Sequence, residues 1–194
     1  MFAATNNLSD ANCVVLSDYG QGVVNDSGVE KITKHAQKLK IPIIADPKLT
    51  GLHRTHNVDW IIFQSRGFEL MKRRIGEADD SVAAKSLLES YGWKHLVVLA
   101  GGNGVTIYSQ SDNTVHVACT LPQLRQVIGL IDAAVVAIAV SISNGFSVSD
   151  TALLTNAACE CILSAEATDS FSLSKDMLIH RVGEIAWNLQ VSKR

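Results

Sequence analysis

The sequence predicts an α/β protein whose mostly parallel sheet is covered by helices on both faces. Short apolar segments that contain β-branched residues alternate with segments of helical period, each of roughly 10–15 residues. Several apolar segments run directly into turns rich in glycine, aspartate or proline, which is typical of strand ends in βαβ units. Strands and helices that alternate in this way indicate parallel pairing, with the helices packed on the sheet.

Six segments have the composition of strands. In chain order they are Cys13–Ser17, Ile41–Asp46, Asp59–Phe63, His95–Ala100, Val105–Tyr108 and Thr114–Ala118. Only a polar turn separates the last two, so we expect them to form a hairpin.

Six further segments have a helical pattern. They are Ser27–Lys40, Gly67–Arg74, Asp80–Tyr91, Leu130–Ser143, Ser149–Ser164 and Ser174–Gln190. In the first of these, Val29, Ile32, Ala36 and Leu39 share one face, which we expect to be buried. The basic run 72–74 in the second helix is interpreted as a solvated face. Because no repeat or linker interrupts the alternation, we expect a single domain over residues 1–194.

The composition narrows the classes of function. A formal net charge of −2 and a pI near 6.3 provide no basic field for nucleic acid or for an anionic membrane, so neither is an expected partner. The most hydrophobic stretch, Val127–Ile142, is shorter than the ~20 residues of a membrane span and contains Asp132, so we interpret it as a buried helix. The four cysteines form no CxxC pair, which favours reduced thiols and a cytoplasmic location.

One helix start has the composition of an anion site. Gly129 precedes the apolar helix that begins at Leu130, and Asp132 lies in its first turn. A glycine here lets backbone N–H groups face an anion, and a nearby aspartate can accept a proton from a hydroxyl group. The alternative is that Asp132 is a helix-start residue that satisfies free amides. The residues alone leave both interpretations open.

Four polar segments follow predicted strands and mark the candidate site. They are Asp18–Gly22, Asp46–Lys48, Gln64–Gly67 and Gly101–Gly104. Because ligands of open α/β sheets bind beyond the carboxyl ends of the strands, we expect these segments to converge. Lys48 is a candidate for contacting a phosphate, with a solvated loop lysine as the alternative.

The order of these motifs resembles the PfkB carbohydrate kinases, which have a ribokinase-like, three-layer αβα fold. The similarity is greatest to the kinase part of bifunctional heptose-7-phosphate kinase/ADP-heptose synthases. The motifs that carry the resemblance are Ser17–Gly22, Asp46–Lys48, Gly101 with Gly104, Gly129 with Asp132, and Asn156–Ala158.

The resemblance implies transfer of the γ-phosphoryl group of ATP, with Mg²⁺, to a sugar hydroxyl. Asp132 would be the catalytic base, and Gly129 would belong to the anion hole. The residues expected to contact the nucleotide are Gly101, Gly104, Lys48, Gln64 and Asn156. A nucleotide and a sugar phosphate are therefore the expected small-molecule partners.

The chain departs from the family pattern at the phosphate loop. Gly-Ala-Gly-Asp is replaced by Gly129-Leu130-Ile131-Asp132, and β-branched Ile131 disfavours the close backbone approach that glycine allows. The Asn-x-x-Glu motif is replaced by Gln64–Gly67, although Glu69 lies two residues further on. These changes raise a second hypothesis: a catalytically inactive relative that keeps the fold and weak nucleotide binding and acts as a binding or assembly module.

The resemblance begins near the middle of such a kinase. Family members carry an earlier region that supplies most sugar-binding residues and a lid, and strands of that region extend the same sheet. We therefore expect this chain to expose a strand edge, covered by a second copy in a homodimer or by another polypeptide.

Overall fold

The computed structural model describes residues 8–111, 113–166 and 172–191. The strands are Val14–Asp18 (β1), Ile43–Pro47 (β2), Trp60–Gln64 (β3), His95–Leu99 (β4), Val105–Ser109 (β5) and Thr114–Val117 (β6). The α-helices are Asp26–Leu39 (α1), Ser65–Ile75 (α2), Asp80–Tyr91 (α3), Leu130–Ser143 (α4), Val148–Ser164 (α5) and Lys175–Val191 (α6). Every predicted strand and helix is present, and its ends differ from the prediction by at most two residues.

The six strands form one sheet in chain order, from β1 to β6. β1 pairs with β2 in parallel from Val14 opposite Ile43 to Asp18 opposite Pro47, and β2 pairs with β3 in parallel. Because β1 stands first in this order, no described strand pairs with its outer edge. Among the described strands, β1 is therefore one edge of the sheet and β6 is the other, and coverage of the β1 edge by another chain stays a prediction.

Helix α1 begins and ends at residues suited to those positions. The side chain of Asn25 accepts a hydrogen bond of 2.9 Å from the N–H of Gly28, which caps the first turn. Val29, Ile32 and Ala36 are buried, as predicted. The prediction for Leu39 is wrong, since its side chain is 41% exposed. Lys40 takes a left-handed conformation and ends the helix immediately after Leu39, so the predicted face does not extend to it.

The chain divides into two compact units, and the prediction of a single domain over residues 1–194 stays a prediction. The first unit comprises the described residues up to Val98 together with Ile107–Thr114. Its core contains the fully buried side chains of Ile61, Trp93 and Leu96. The indole N–H of Trp93 donates to the carbonyl oxygen of Thr55 over 2.7 Å, so this buried polar group is satisfied.

His95 in the first unit is a structural histidine. Its ring stacks on Trp60 with a centroid distance of 4.1 Å, and its Nδ1 lies 2.9 Å from Ser109 Oγ. Burial lowers the pKa of His95 to about 4, so its ring is neutral at pH 7. A neutral ring stacked on tryptophan stabilises the core.

The second unit contains α4, α5 and α6. Small buried side chains, including Ala133 and Ala137 on α4 and Ala158 on α5, allow the backbones of these two helices to approach closely. The prediction of a buried helix is correct for one face of α4. Val136 and Val140 on the other face are 58% and 45% exposed. None of the helices in the described part of the chain is long and apolar enough to span a bilayer.

Candidate functional site

Gly129 and Asp132 lie at the start of α4, in the second unit. Gly129 is the residue before the helix and has φ 83°, a left-handed conformation that glycine adopts without strain. Asp132 lies in the first turn and is exposed. Glycine at the N-cap position has no side chain with which to cap this turn. The helix dipole and the amides of the first turn therefore favour an anion here.

The residues around this helix start are unusually apolar for a site that handles phosphate. Val127 and Ile128, which precede Gly129, are 59% and 80% exposed. Leu130 is buried, while Ile131 is partly exposed. A Cβ at Gly129 would meet only Ile162 Cδ1, at 4.0 Å, so the surroundings leave space on that side. There is space at this helix start, but the exposed side chains next to it, Val127 and Ile128, are apolar.

Gly104 allows a close approach between two backbone segments in the second unit. Its φ of 89° and ψ of −149° are accessible only to glycine. A Cβ at this position would lie less than 3 Å from Val117 O, Cys119 N and Ala118 C. The N–H of Ala100 donates to Gly104 O over 2.8 Å, and the N–H of Gly104 donates to Gly101 O over 2.9 Å. The glycine at position 104 is therefore explained by backbone packing.

Asn156 belongs to a buried polar network on α5. Its Nδ2 donates to Glu160 Oε1 over 3.0 Å and to Ala118 O over 3.3 Å. Asn156 is 1% exposed, and its Oδ1 accepts no hydrogen bond from the described residues. The side chain is therefore committed to internal contacts through its donor group.

Glu160 lies at the centre of this network, and the sequence interpretation missed it. Its carboxylate is fully buried and accepts from Thr120 N at 2.6 Å, Thr120 Oγ1 at 2.9 Å and Arg181 Nε at 2.6 Å. Arg181 Nη2 contacts the same oxygen, Oε2, so two nitrogens of the guanidinium pair with one oxygen of the carboxylate. The available signal was an acidic residue within the apolar stretch of α5, since a buried carboxylate requires a partner.

In the first unit, the segments after β1 and β2 meet, and they are two of the four segments that were expected to converge. The N–H of Lys48 donates to Asp18 O over 3.1 Å, and the Lys48 ammonium lies 5.7 Å from the centre of the Tyr19 ring. Asp18 is buried and accepts from Gly20 N at 2.9 Å and from Arg54 Nη1 at 2.7 Å. Lys48 itself is exposed beside this turn, in reach of an anion from solvent.

The structure places Gln64 at the start of α2. It is exposed and makes no side-chain capping hydrogen bond. Glu69, the carboxylate nearest in sequence, accepts from Lys72 Nζ at 3.1 Å. Lys72 also pairs with Asp80 and is only 7% exposed, so the predicted solvated basic face is wrong at this residue. Its two acidic partners compensate the burial of the ammonium group.

Comparison with known proteins assigns the family. The sequence profile described as "pfkB family carbohydrate kinase" matches residues 2–175. The chain belongs to the pfkB family. It is similar to Bifunctional protein HldE of Aliivibrio fischeri strain MJ11, with 25% identity over 85% of this chain and 34% of that protein. It is also similar to Bifunctional protein HldE of Hyphomonas neptunium, with 31% identity over 75% of this chain and 30% of that protein. The chain thus spans about a third of the length of these relatives.

Solved structures confirm the predicted three-layer α/β fold for this pfkB family member. Arabidopsis thaliana ribokinase, complexed with ribose and ATP, aligns with a TM-score of 0.78 at 16% identity, over 94% of this chain and 59% of that chain. The tetrameric inhibited form of Escherichia coli phosphofructokinase-2 aligns with a TM-score of 0.75 at 18% identity. The alignment covers 95% of this chain and 61% of that chain. The resemblance inferred from the sequence motifs is therefore confirmed, for family and for fold.

The side chains of the described residues in this pfkB member form no cluster of metal ligands. The described residues contain no group of three or more His, Cys, Asp or Glu side chains placed to hold an ion. Gly67 stands at the position of the glutamate in the Asn-x-x-Glu motif, and Glu69 is engaged by Lys72. The described side chains therefore do not fit a magnesium ion held by protein carboxylates alone.

Proposed function

We propose that this chain carries the nucleotide-binding and phosphoryl-transfer part of a carbohydrate kinase, which moves the γ-phosphoryl group of ATP to a sugar hydroxyl. One observation carries the proposal: Asp132 is exposed in the first turn of α4, directly after the left-handed Gly129. Both residues lie within the part of the chain that the pfkB family profile matches.

In this proposal Asp132 accepts the proton of the attacking hydroxyl group. The first-turn amides of α4 and the positive end of its dipole hold the oxygens of the moving phosphoryl group. Gly101, Gly104, Lys48 and Gln64 remain the proposed nucleotide contacts. Asn156, the fifth residue that the resemblance assigns to the nucleotide, would act indirectly, through its hydrogen bonds to Glu160 and Ala118. Phosphoryl transfer depends on positioning and on charge neutralisation, so the contribution of each of these groups is electrostatic.

A second candidate is a catalytically inactive, kinase-like binding module. Leu130 and Ile131 occupy positions where the family has alanine and glycine, and Leu130 is only 4% exposed. Substituting a smaller residue there would leave a cavity, because the side chain is part of the packing of α4. For the isolated chain we therefore expect nucleotide binding with little or no transfer. The four free cysteines fit a reducing, cytoplasmic setting for either candidate.

The nucleotide proposal predicts a ligand-dependent rise in melting temperature. Binding to the folded state at about one hundred times the dissociation constant stabilises it by about 2.7 kcal/mol. For a chain of this size that corresponds to a rise of roughly 5–11 °C. The measurement is a thermal titration with ATP and ADP, with and without Mg²⁺. No shift at about millimolar nucleotide would contradict both candidates.

The Asp132→Asn variant separates the two candidates. It should keep nucleotide binding, because the side chain is exposed and its shape is preserved. Any release or transfer of phosphate seen with the parent chain and a heptose phosphate should disappear in the variant. Binding without turnover in the parent chain would support the inactive module.

We also propose that the outer edge of β1 is covered by a second copy of this chain or by another polypeptide. The N–H and C=O groups on such an edge are a template for strand addition. Light scattering at micromolar concentration should give a mass above the 20.9 kDa of one chain. A monomeric mass would count against the homodimer, and a tight complex with a partner chain would support the alternative.

A further inference from the structure

A groove of about 270 Å³ lies in the first unit, between one side of α1 and residues 53–57. None of the seven residues assigned to the kinase site lines it. Its volume is close to the lower end of the range for small-molecule sites, which begins near 300 Å³. The groove therefore suits a single small ring and is too small for a nucleotide.

Two ion pairs lie along the groove. Lys34 Nζ contacts Glu30 Oε1 at 2.6 Å on α1, and Arg54 Nε donates to Asp26 Oδ1 at 2.6 Å. His53 Nε2 lies 3.0 Å from the same oxygen of Asp26. Arg54 and His53 together lower the pKa of Asp26, so that it is a carboxylate at neutral pH. Each pair sets a donor-only cation beside an acceptor-only carboxylate.

The wall opposite α1 is held in place by Asn57. This residue has φ 60°, and its N–H donates to Tyr91 O over 2.8 Å. Its carbonyl oxygen accepts from Gln37 Nε2 at 3.3 Å. Gly92 leaves room for its side chain, since a Cβ there would lie less than 3 Å from Asn57 Oδ1. A wall fixed in this way loses little conformational freedom when a ligand binds.

The charges of the groove balance. Among the lining residues, Lys34 and Arg54 contribute two positive charges, and Asp26 and Glu30 contribute two negative ones. A net charge of zero favours neither an anion nor a cation. A hydroxyl group both donates and accepts, so a pair of neighbouring hydroxyls matches a carboxylate next to a cation. We propose that the groove binds a small neutral polyol through a vicinal diol.

The affinity follows from the exposure of the contacting groups. The side chains of Lys34 and Asp26 are 73% and 72% exposed, so water competes for their hydrogen bonds. The side chain of Arg54 is much less accessible to solvent than those of Lys34 and Asp26, with 24% of it exposed. Binding is therefore expected to have a dissociation constant of about 1–10 mM.

The test is an amide chemical-shift titration of the ¹⁵N-labelled chain without nucleotide. The probes are myo-inositol, cyclohexanol as the ring without a diol, and inorganic phosphate. Saturable shifts should map to residues 26–37 and 53–57 with myo-inositol only. Absence of saturation at about 50 mM, shifts elsewhere, or tighter binding of phosphate would each overturn the proposal.

The Glu30→Gln variant should raise the dissociation constant at least about fivefold, because one acceptor of the diol is lost. The pair it breaks is exposed on both sides, so the fold should be unaffected. Lys38→Met on the same helix, outside the groove, is the matched control and should bind like the parent chain. Equal affinity in the parent chain and both variants would contradict the assignment. Because no nucleotide is present, failure here leaves the kinase proposal untouched.

Discussion

Replacing Gly104 with alanine is expected to destabilise the chain by at least about 3 kcal/mol. Two costs add at this position. The backbone conformation is one that residues with a Cβ rarely adopt, and the Cβ itself would overlap Val117 O and Cys119 N. Both contacts are with backbone, so no side-chain rotation can relieve them. The segment that follows β6 would have to move away from the turn.

The measurement is the melting temperature together with denaturant unfolding. For a chain of this length we expect a decrease of roughly 6–12 °C or more. Gly101→Ala is the matched control, since Gly101 also has positive φ, at 55°, but the nearest atom to its Cβ would be Leu124 Cδ1 at 3.9 Å. That variant should cost only about 1–2 kcal/mol. Equal effects of the two substitutions would show that backbone overlap at Gly104 is not what requires glycine.

The strands and helices were predictable because their signals are local. The capping residues of α1 lie directly next to that helix in the sequence, and the turn residues after β1 lie within two positions of that strand. The order of the strands in the sheet depends instead on pairing between segments that are distant in the sequence. Periodicity specifies which side of a strand is buried, but it does not specify which strand lies beside it. The sequential order from β1 to β6, and the open edge that it leaves, therefore needed the structure or the family.

The basic residues 72–74 show the same difference between what local sequence predicts and what depends on contacts with other elements. A run of basic residues at 72–74 was interpreted from its composition as a solvated face. Lys72 is instead buried between Glu69 and Asp80, the second of which belongs to another helix. The partner that makes burial possible is eight residues away and beyond a helix end, so no pattern within α2 could reveal it.

The candidate site was predictable in part. A glycine followed by an aspartate at the start of an apolar helix specified Gly129 and Asp132, and the structure places them at the N-cap and in the first turn of α4. For Asn156 the motif suggested a ligand contact, while the structure shows its donor group bound to Glu160 and Ala118. The motif indicates that asparagine belongs at this position. It does not indicate whether the side chain contacts a ligand or another part of the protein.

Replacing Glu160 with glutamine is expected to cost about 3–5 kcal/mol. The carboxylate accepts hydrogen bonds from three residues that lie on α5, on α6 and after β6, and it is fully buried. Glutamine keeps the shape but turns an NH₂ group toward one of those donors, and it leaves the guanidinium of Arg181 without its buried counter-charge. A buried charge without its partner is among the most destabilising changes available to a fold.

Two further variants decide whether the buried pair is responsible. Glu184→Gln removes the exposed partner of Arg181, at 2.7 Å, and should cost less than about 1 kcal/mol, because 45% of the Glu184 side chain is in solvent. The double variant Glu160→Leu with Arg181→Met removes both buried charges and should be more stable than Glu160→Gln alone. Denaturant unfolding of the three variants gives the comparison. If the double variant is the least stable of the three, the network is held by hydrogen bonds that the apolar pair cannot replace, and the ion pair is not its main source of stability.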